Sequence, residues 1–218
     1  MSVAERKERE KLQRRNDIVD AAEKRFFEKG FDGVSMDEIA RDLELSKPTI
    51  YLYFKNKESL FLAVVMRGVV ILREMFKAAV EPETTGVEKG KAFARAFFGY
   101  AAKYPDYYRL LMAARTRRFM SVVRSGRVEG SRDFGNISME MLTLLLDAIK
   151  LGQKDGTVRK DIDPVETAIF MSMACEGAVQ MTPEWEMLLE MNMLTLDRYY
   201  EHSIDVLLHG IAVENGKK

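Results

Sequence analysis

The chain has one cysteine, Cys175, in 218 residues. No intrachain disulfide can form, and a reducing compartment is the expected setting. Two histidines, His202 and His209, complete its supply of soft or imidazole ligands, too few for a Cys/His zinc site, so no metal is expected. No Ser-His-Asp or Cys-His set and no glycine-rich phosphate loop can be assembled, so neither an enzyme nor a cofactor is expected. Long apolar runs are missing too. The most apolar stretch, 165–181, contains Glu166 and Glu176 and falls short of the roughly 18 uninterrupted apolar residues of a membrane span. The first residues alternate in charge (Glu5, Arg6, Lys7, Glu8, Arg9, Glu10, Lys11) with no apolar signal-peptide core. A soluble, cytoplasmic protein is expected. Basic and acidic side chains number 34 each, so no global field draws the chain to nucleic acid, and any such affinity must come from local clusters.

What is present reads as helix. The chain is 47% hydrophobic, enough for one large domain or a small one plus a medium one. Leu12, Ile18, Val19, Ala22 and Phe26 share the stripe of a first helix that stops at Gly30. Ser35-Met36-Asp37-Glu38 is a capping box for a helix to Leu43. Ser46, with Lys47 and Pro48 in the first turn, opens another that runs to Phe54. Asn56 caps a fourth, to about Val80, and a fifth spans about 87–104. Pro105 starts a short sixth, ending near Ala114. Gly126, Gly130 and Gly135 interrupt residues 115–135. Helix resumes from Ile137 to Gly152, then after Asp163-Pro164, then from Thr182-Pro183 to about Gly210. That makes about nine helices and no strand. Residues 1–11 are expected to be a flexible arm, with tracking of phosphates or of a minor groove as the alternative. The tail from Glu214 to Lys218 is expected to fray.

The helices at 36–43 and 47–54, joined by Glu44-Leu45-Ser46, have helix-turn-helix spacing. Ile39, Ala40, Leu43, Leu45 and Ile50 supply their mutual contacts, which leaves Lys47, Thr49, Tyr51, Leu52 and Tyr53 outward. Between Leu45 and Lys57 there are three lysines and no carboxylate, as a surface facing phosphates requires. The run from Ala40 through Lys47-Pro48-Thr49-Ile50-Tyr51-Leu52-Tyr53-Phe54-Lys55-Asn56-Lys57 to Leu60 resembles the N-terminal signature of tetracycline-repressor (TetR) type regulators. Ile18, Ala21, Ala22, Phe26, Gly30, Phe31 and Ser35 fall in the same register, so the resemblance covers about residues 12–65. A weaker likeness lies at Asp155-Gly156-Thr157-Val158-Arg159, similar to the loop before the last two helices in many members. The resemblance implies that Lys47, Pro48, Thr49, Tyr51 and Leu52 face the major groove and that Ser35, Tyr53 and Lys57 hold phosphates. It also implies an all-α, two-domain protein: a DNA-binding domain over 1–56 and a dimerisation and effector-binding domain over 57–218. Glu44 departs from the pattern, because the family usually has glycine there, and the turn is expected to be strained.

The helix after Pro164 is apolar all round and must be covered on every side. Small residues Ala168, Ser172, Cys175 and Gly177 permit close approach, so a homodimer through the last two helices (about 164–181 and 184–210) is expected. Ten of the 14 methionines lie from Met112 onward, and methionine fills adaptable apolar space. Phe97, Tyr100, Tyr104, Met112, Phe119, Met120, Met139, Phe170 and Met173 are candidates to line a pocket for a small hydrophobic or aromatic effector, with ordinary core as the alternative. Glu176 could balance a cationic ligand or pair with an arginine across the dimer. Residues 103–132 hold eight basic and two acidic side chains. Their cluster of Arg115, Arg117, Arg118, Arg124, Arg127 and Arg132 fits an anionic effector or a solvated face.

The function expected from these features is a dimeric repressor bound to a pseudo-palindromic duplex operator and released by the effector. Two alternatives stand beside it: a regulator whose C-terminal domain only dimerises, and a helical carrier or enzyme.

Overall fold

Capping residues set most helix starts in the computed structural model, which describes residues 2–213 and holds eleven helices among them. These are α1 (Val3–Lys29), α2 (Met36–Asp42), α3 (Lys47–Tyr53), α4 (Lys57–Val80), α5 (Gly86–Lys103), α6 (Pro105–Ala114), α7 (Arg117–Arg124), α8 (Ser131–Asp155), α9 (Pro164–Val179), α10 (Pro183–Met191) and α11 (Leu196–His209). The all-α reading holds. The extended pairing found among the described residues is a single bridge, Val158 to Ala212. The expected fray at 214–218 lies outside the described residues.

Three expectations need correction. Residues 3–11 are helical rather than a loose arm, because Ser2 and Glu5 form a capping box that starts α1 at Val3, well ahead of its apolar stripe. The 115–135 stretch holds α7, capped by Thr116, and α8 begins at Ser131, ahead of Gly135. A Cβ at Gly135 would meet nothing, so that glycine marks neither a turn nor a close approach. The expected last helix is two helices. Met193 adopts φ 52°, Asn192 Nδ2 donates to the Leu188 carbonyl at 2.8 Å, and Thr195 caps α11 by accepting from Arg198 N.

The described residues pack as two units. The first takes residues up to Val70 together with Tyr104–Asn136, and the second takes Ile71–Lys103 together with residues from Ile137 onward. Packing therefore does not follow a division at residue 56, since α4 and α8 each contribute to both units.

The core of the first unit joins Ile18, Ala22 and Phe26 of α1, Ile39 and Ala40 of α2, Ile50 of α3, and Leu60, Phe61 and Val64 of α4. Phe61 meets Phe26, Phe31 and Phe119 edge-on at centroid distances of 5.1, 4.8 and 5.2 Å, a geometry that adds attraction beyond burial. Arg67 of α4 pairs with Asp20 at 2.6 Å and Glu23 at 3.1 Å on α1. Tyr107 of α6 donates to Glu23 at 2.6 Å, and burial with that bond pushes its hydroxyl pKa up. One polar network thus locks three helices.

In the second unit Phe76 stacks on Phe93 at 3.8 Å and Phe98 on Tyr200 at 4.4 Å. The Asp155–Arg159 loop binds the start of α5: the Gly86 amide donates to Asp155 Oδ2 at 2.8 Å and the Val87 amide to Thr157 Oγ1 at 3.3 Å. Gly86 and Gly152 lie so close that a Cβ on Gly86 would overlap the backbone of Gly152 and Ala148.

Candidate nucleic-acid interface

Helix α3 is short, and its geometry depends on its ends. Ser46 Oγ accepts from the Thr49 amide at 3.3 Å and lies 2.7 Å from Thr49 Oγ1. Pro48 sits in the first turn, where its missing N–H costs nothing. Ile50 and Phe54 are fully buried and fix the helix to the unit beneath. What remains outside is the expected reading face: Lys47 and Pro48 are exposed, Tyr51 is 40% exposed, Leu52 81%, and Thr49 and Tyr53 are half-buried. An 81% exposed leucine next to an exposed tyrosine has no folding reason and suits contact with base edges and thymine methyls.

The turn before α3 carries the expected strain. Glu44 has φ 54°, the left-handed region that costs a side-chain-bearing residue about 1–2 kcal/mol. The turn is closed by amides of Leu43, Glu44 and Leu45 donating back to Ala40, Arg41 and Ala40 carbonyls. Helix α2 is held by its Ser35–Glu38 capping box. The Ser35 amide donates to Glu38 Oε2 at 2.8 Å, and the Glu38 amide to Ser35 Oγ at 3.2 Å. The Ser35 amide and hydroxyl hold the Glu38 carboxyl below the usual range. Arg25 of α1 clamps Asp42 at the end of α2 with two bonds of 2.6 and 2.7 Å, and that hydrogen bonding depresses the Asp42 pKa.

Two of the expected contacts are engaged within the protein. Lys47 Nζ reaches Asp37 Oδ2 of α2 at 2.9 Å, and this bond holds its ammonium pKa above the ordinary value. The pair is exposed on both sides, so a phosphate can compete for Lys47. Spacing along the chain does not show this acid, which lies ten positions upstream on another helix. Lys57 is turned inward: its Nζ donates to the Phe31 and Val34 carbonyls at 2.8 and 3.0 Å and sits 4.2 Å over the Phe31 ring. Its side chain closes the α1–α2 loop. Ser35 is exposed, with its hydroxyl committed to the cap. Asn56 caps α4 as expected, accepting from the Ser59 amide at 2.8 Å.

The expected effector lining divides between the units. Phe97 and Tyr100 are buried in the second unit. Tyr104, Met112 and Met120 are half-buried in the first, and Phe119 is buried there, where it lines a groove of about 240 Å³ with Phe31, Asp32, Glu58 and Arg118. Met139, Phe170 and Met173 are exposed rather than enclosed, and Glu176 is half-buried. On α9 the cause is plain: a helix apolar on every face gives no stripe from which its inner side can be read. Among the described residues no three His, Cys, Asp or Glu side chains group to hold a metal ion, and no helix is long and apolar enough to cross a membrane.

Comparison with known proteins gives two family matches. Residues 18–64 match the model described as "Bacterial regulatory proteins, tetR family", and residues 87–206 match "Tetracyclin repressor-like, C-terminal domain". The HTH-type transcriptional activator FasR of Mycolicibacterium smegmatis is 33% identical over 99 residues, 45% of this chain and 45% of FasR. The alignment thus spans about half the length of that curated relative. The HTH-type transcriptional repressor NicS of Pseudomonas putida is 24% identical over 162 residues, 74% of this chain and 73% of NicS. The solved structure of the ketosteroid transcriptional regulator KstR2 of Mycobacterium tuberculosis shares the fold, with TM-score 0.66 and 16% identity over 92% of this chain and 96% of that one.

Proposed function

Because this chain belongs to the tetR family of bacterial regulatory proteins, we propose that it is a dimeric repressor that reads a pseudo-palindromic duplex operator with α3 and leaves it on binding a small hydrophobic or aromatic effector. The carrying observation is the face of α3. Lys47, Pro48, Tyr51 and Leu52 stand exposed on a helix pinned from behind by buried Ile50 and Phe54. Residues 1–56 act as the reading head in this proposal, and the chain from 57 onward as the dimerising and sensing part. Tyr53 and Ser35 keep their proposed phosphate roles. Lys57 contributes by holding the α1–α2 loop with its ammonium rather than by binding a phosphate.

Dimerisation is supported by an apolar surface on the second unit. Ile169, Phe170 and Met173 of α9, Trp185, Leu188 and Met191 of α10, and Leu196 and Val206 of α11 are all exposed, more than a lone soluble chain ordinarily leaves uncovered. The interface proposed from sequence, α9 with the last helix, thereby becomes α9, α10 and α11. Phe170 and Met173 fit it better than an effector pocket, while buried Phe97, Tyr100 and Phe119 stay candidates for the sensor. FasR is described as an activator and NicS as a repressor; the repressor sign is part of the proposal, in which release by the effector relieves repression. That release requires unequal effector affinity for the DNA-fitting and non-fitting states, and α4, shared by both units, is the proposed lever.

Alanine at Tyr51 and at Leu52 tests the reading face. Operator affinity should drop at least tenfold, about 1.4 kcal/mol, while the sedimentation profile stays that of a dimer. Variants that bind the operator as tightly as the parent would remove α3 as the reader. For the sensor, a panel of lipophilic compounds should contain one that raises the melting temperature by mass action and lowers operator affinity.

A further inference from the structure

The arginine-rich stretch after α6 belongs neither to the core nor to the face of α3. Arg117, Arg118, Arg124, Arg127 and Arg132 are exposed, and none has an ion-pair partner among the described residues. Five unneutralised guanidinium groups within sixteen residues repel one another. Nothing in the packing needs them, since α7 is anchored by Phe119 and Val123 on its other face. The pattern is that of a surface built for an external polyanion.

The structure also fixes where part of this stretch lies. The loop after α7 belongs to the same unit as α1, α2 and α3 and is tied to it at four points. Val128 is buried. The Glu129 amide donates to Ser59 Oγ at 3.0 Å. Asn56 Nδ2 donates to the Arg127 carbonyl at 3.5 Å. Arg15 of α1 reaches Glu129 Oε1 at 3.1 Å while its guanidinium stacks 4.6 Å over the ring of Phe54, the C-cap that follows α3. Asn56 follows the last residue of α3, Tyr53, by three positions, a stretch of chain that spans at most about 11 Å. The Arg127 backbone is hydrogen-bonded at the far end of that span. A major groove is about 12 Å wide, so a helix lying in it has the bordering phosphates within a comparable distance of its end.

We propose that Arg124 and Arg127, with Arg132 in support, form a second phosphate-binding surface that extends the α3 footprint along the backbone of duplex DNA. The inference rests on the reading of α3 as the groove-entering helix and adds to it a sequence-independent grip. Guanidinium groups suit the task because their fork of donors matches phosphate oxygens. The surface also answers a difficulty set by composition. The whole chain has no net charge, and Lys47 meets Asp37 within the protein, so unpaired arginines on the same unit add phosphate affinity that α3 alone lacks.

The test uses the full chain and a labelled random-sequence duplex, with binding measured by anisotropy between about 50 and 200 mM salt. The double variant R124Q/R127Q should bind roughly tenfold more weakly at the lower salt, and its log–log salt slope should be shallower by about 0.9 for each phosphate contact removed. R124K/R127K, which keeps the charge, should retain most of the slope. On a selected operator the glutamine variant should lose the same factor, leaving the preference for operator over random duplex unchanged. A glutamine variant with the parental salt slope overturns the proposal, as does one that loses sequence preference instead of general affinity. A parental chain that binds no duplex at all removes the underlying reading of α3 as well, which sets that failure apart from the local one.

Discussion

Glu44 carries its conformational signal in its identity alone. It stands where related sequences usually have glycine, and its φ of 54° places it in the region glycine enters without a Cβ penalty. Relief of about 1–2 kcal/mol of strain, less the added freedom glycine gives the unfolded chain, leaves a gain of about 1 kcal/mol for Glu44→Gly. For a chain of this size that is roughly 2–4 °C in melting temperature, readable by calorimetry, and an unchanged or lower value would count against the strain. Asp42 supports a second expectation. Its pKa is depressed by Arg25, so the clamp stabilises the fold above the ordinary aspartate range and the benefit is lost as pH falls through the depressed value. The melting-temperature gap between the parent and Asp42→Asn should therefore be open at pH 7, narrow as pH falls below the unfolded-chain pKa of about 3.9, and close once pH drops below the depressed folded-state value. Lys57 shows where residue-level reading stops. Its register suggests a phosphate, but the carbonyls it binds belong to Phe31 and Val34, and no local pattern reports a partner more than twenty positions away.

At the level of elements, the end of α1 and helices α2 to α6 are legible because serine, asparagine, proline and glycine punctuate them by local chemistry, whereas the Ser2 cap that starts α1 lies ahead of its apolar stripe and is not. The misses share a cause as well. Gly135 reads as a breaker yet lies inside α8, since a single helical glycine costs only about 1 kcal/mol and neighbouring packing offsets it. The break after Met191 is hidden because apolar periodicity continues across Asn192–Thr195, and only the left-handed Met193 and the Thr195 cap reveal it. Gly152 is a different kind of glycine. A Cβ there would run into Val158, in the loop whose sequence is similar to that of many family members. Gly152→Ala should destabilise the protein by about 1–3 kcal/mol through overpacking, whereas Gly135→Ala, which meets open space, should be neutral or stabilising. Equal effects in paired urea titrations would contradict this distinction.

For the whole molecule, sequence suggests a boundary at residue 56, while packing interleaves the chain into two units that share α4 and α8. Spacing along a chain cannot show that residues 104–136 return to the first unit. Whole-molecule assembly is legible only as an excess: α10 buries none of its residues and offers Trp185, Leu188 and Met191 outward. A charge placed in that surface, as in Met173→Glu or Leu188→Glu, should shift the protein from dimer to monomer in sedimentation. It should also weaken operator binding at least a hundredfold, about 2.7 kcal/mol, because two joined reading heads bind far more tightly than one. A charged variant that remains dimeric would move the interface elsewhere.

The central claim is that α3 enters a DNA groove twice per particle, and selection of bound molecules from a pool of random duplexes measures it most directly. The account predicts recovery of an inverted repeat whose half-sites are about 10–10.5 base pairs apart centre to centre, or a multiple of that, with enrichment abolished by Tyr51→Ala. Recovery of no shared sequence, or of a motif that survives the loss of Tyr51 and Leu52, would contradict it.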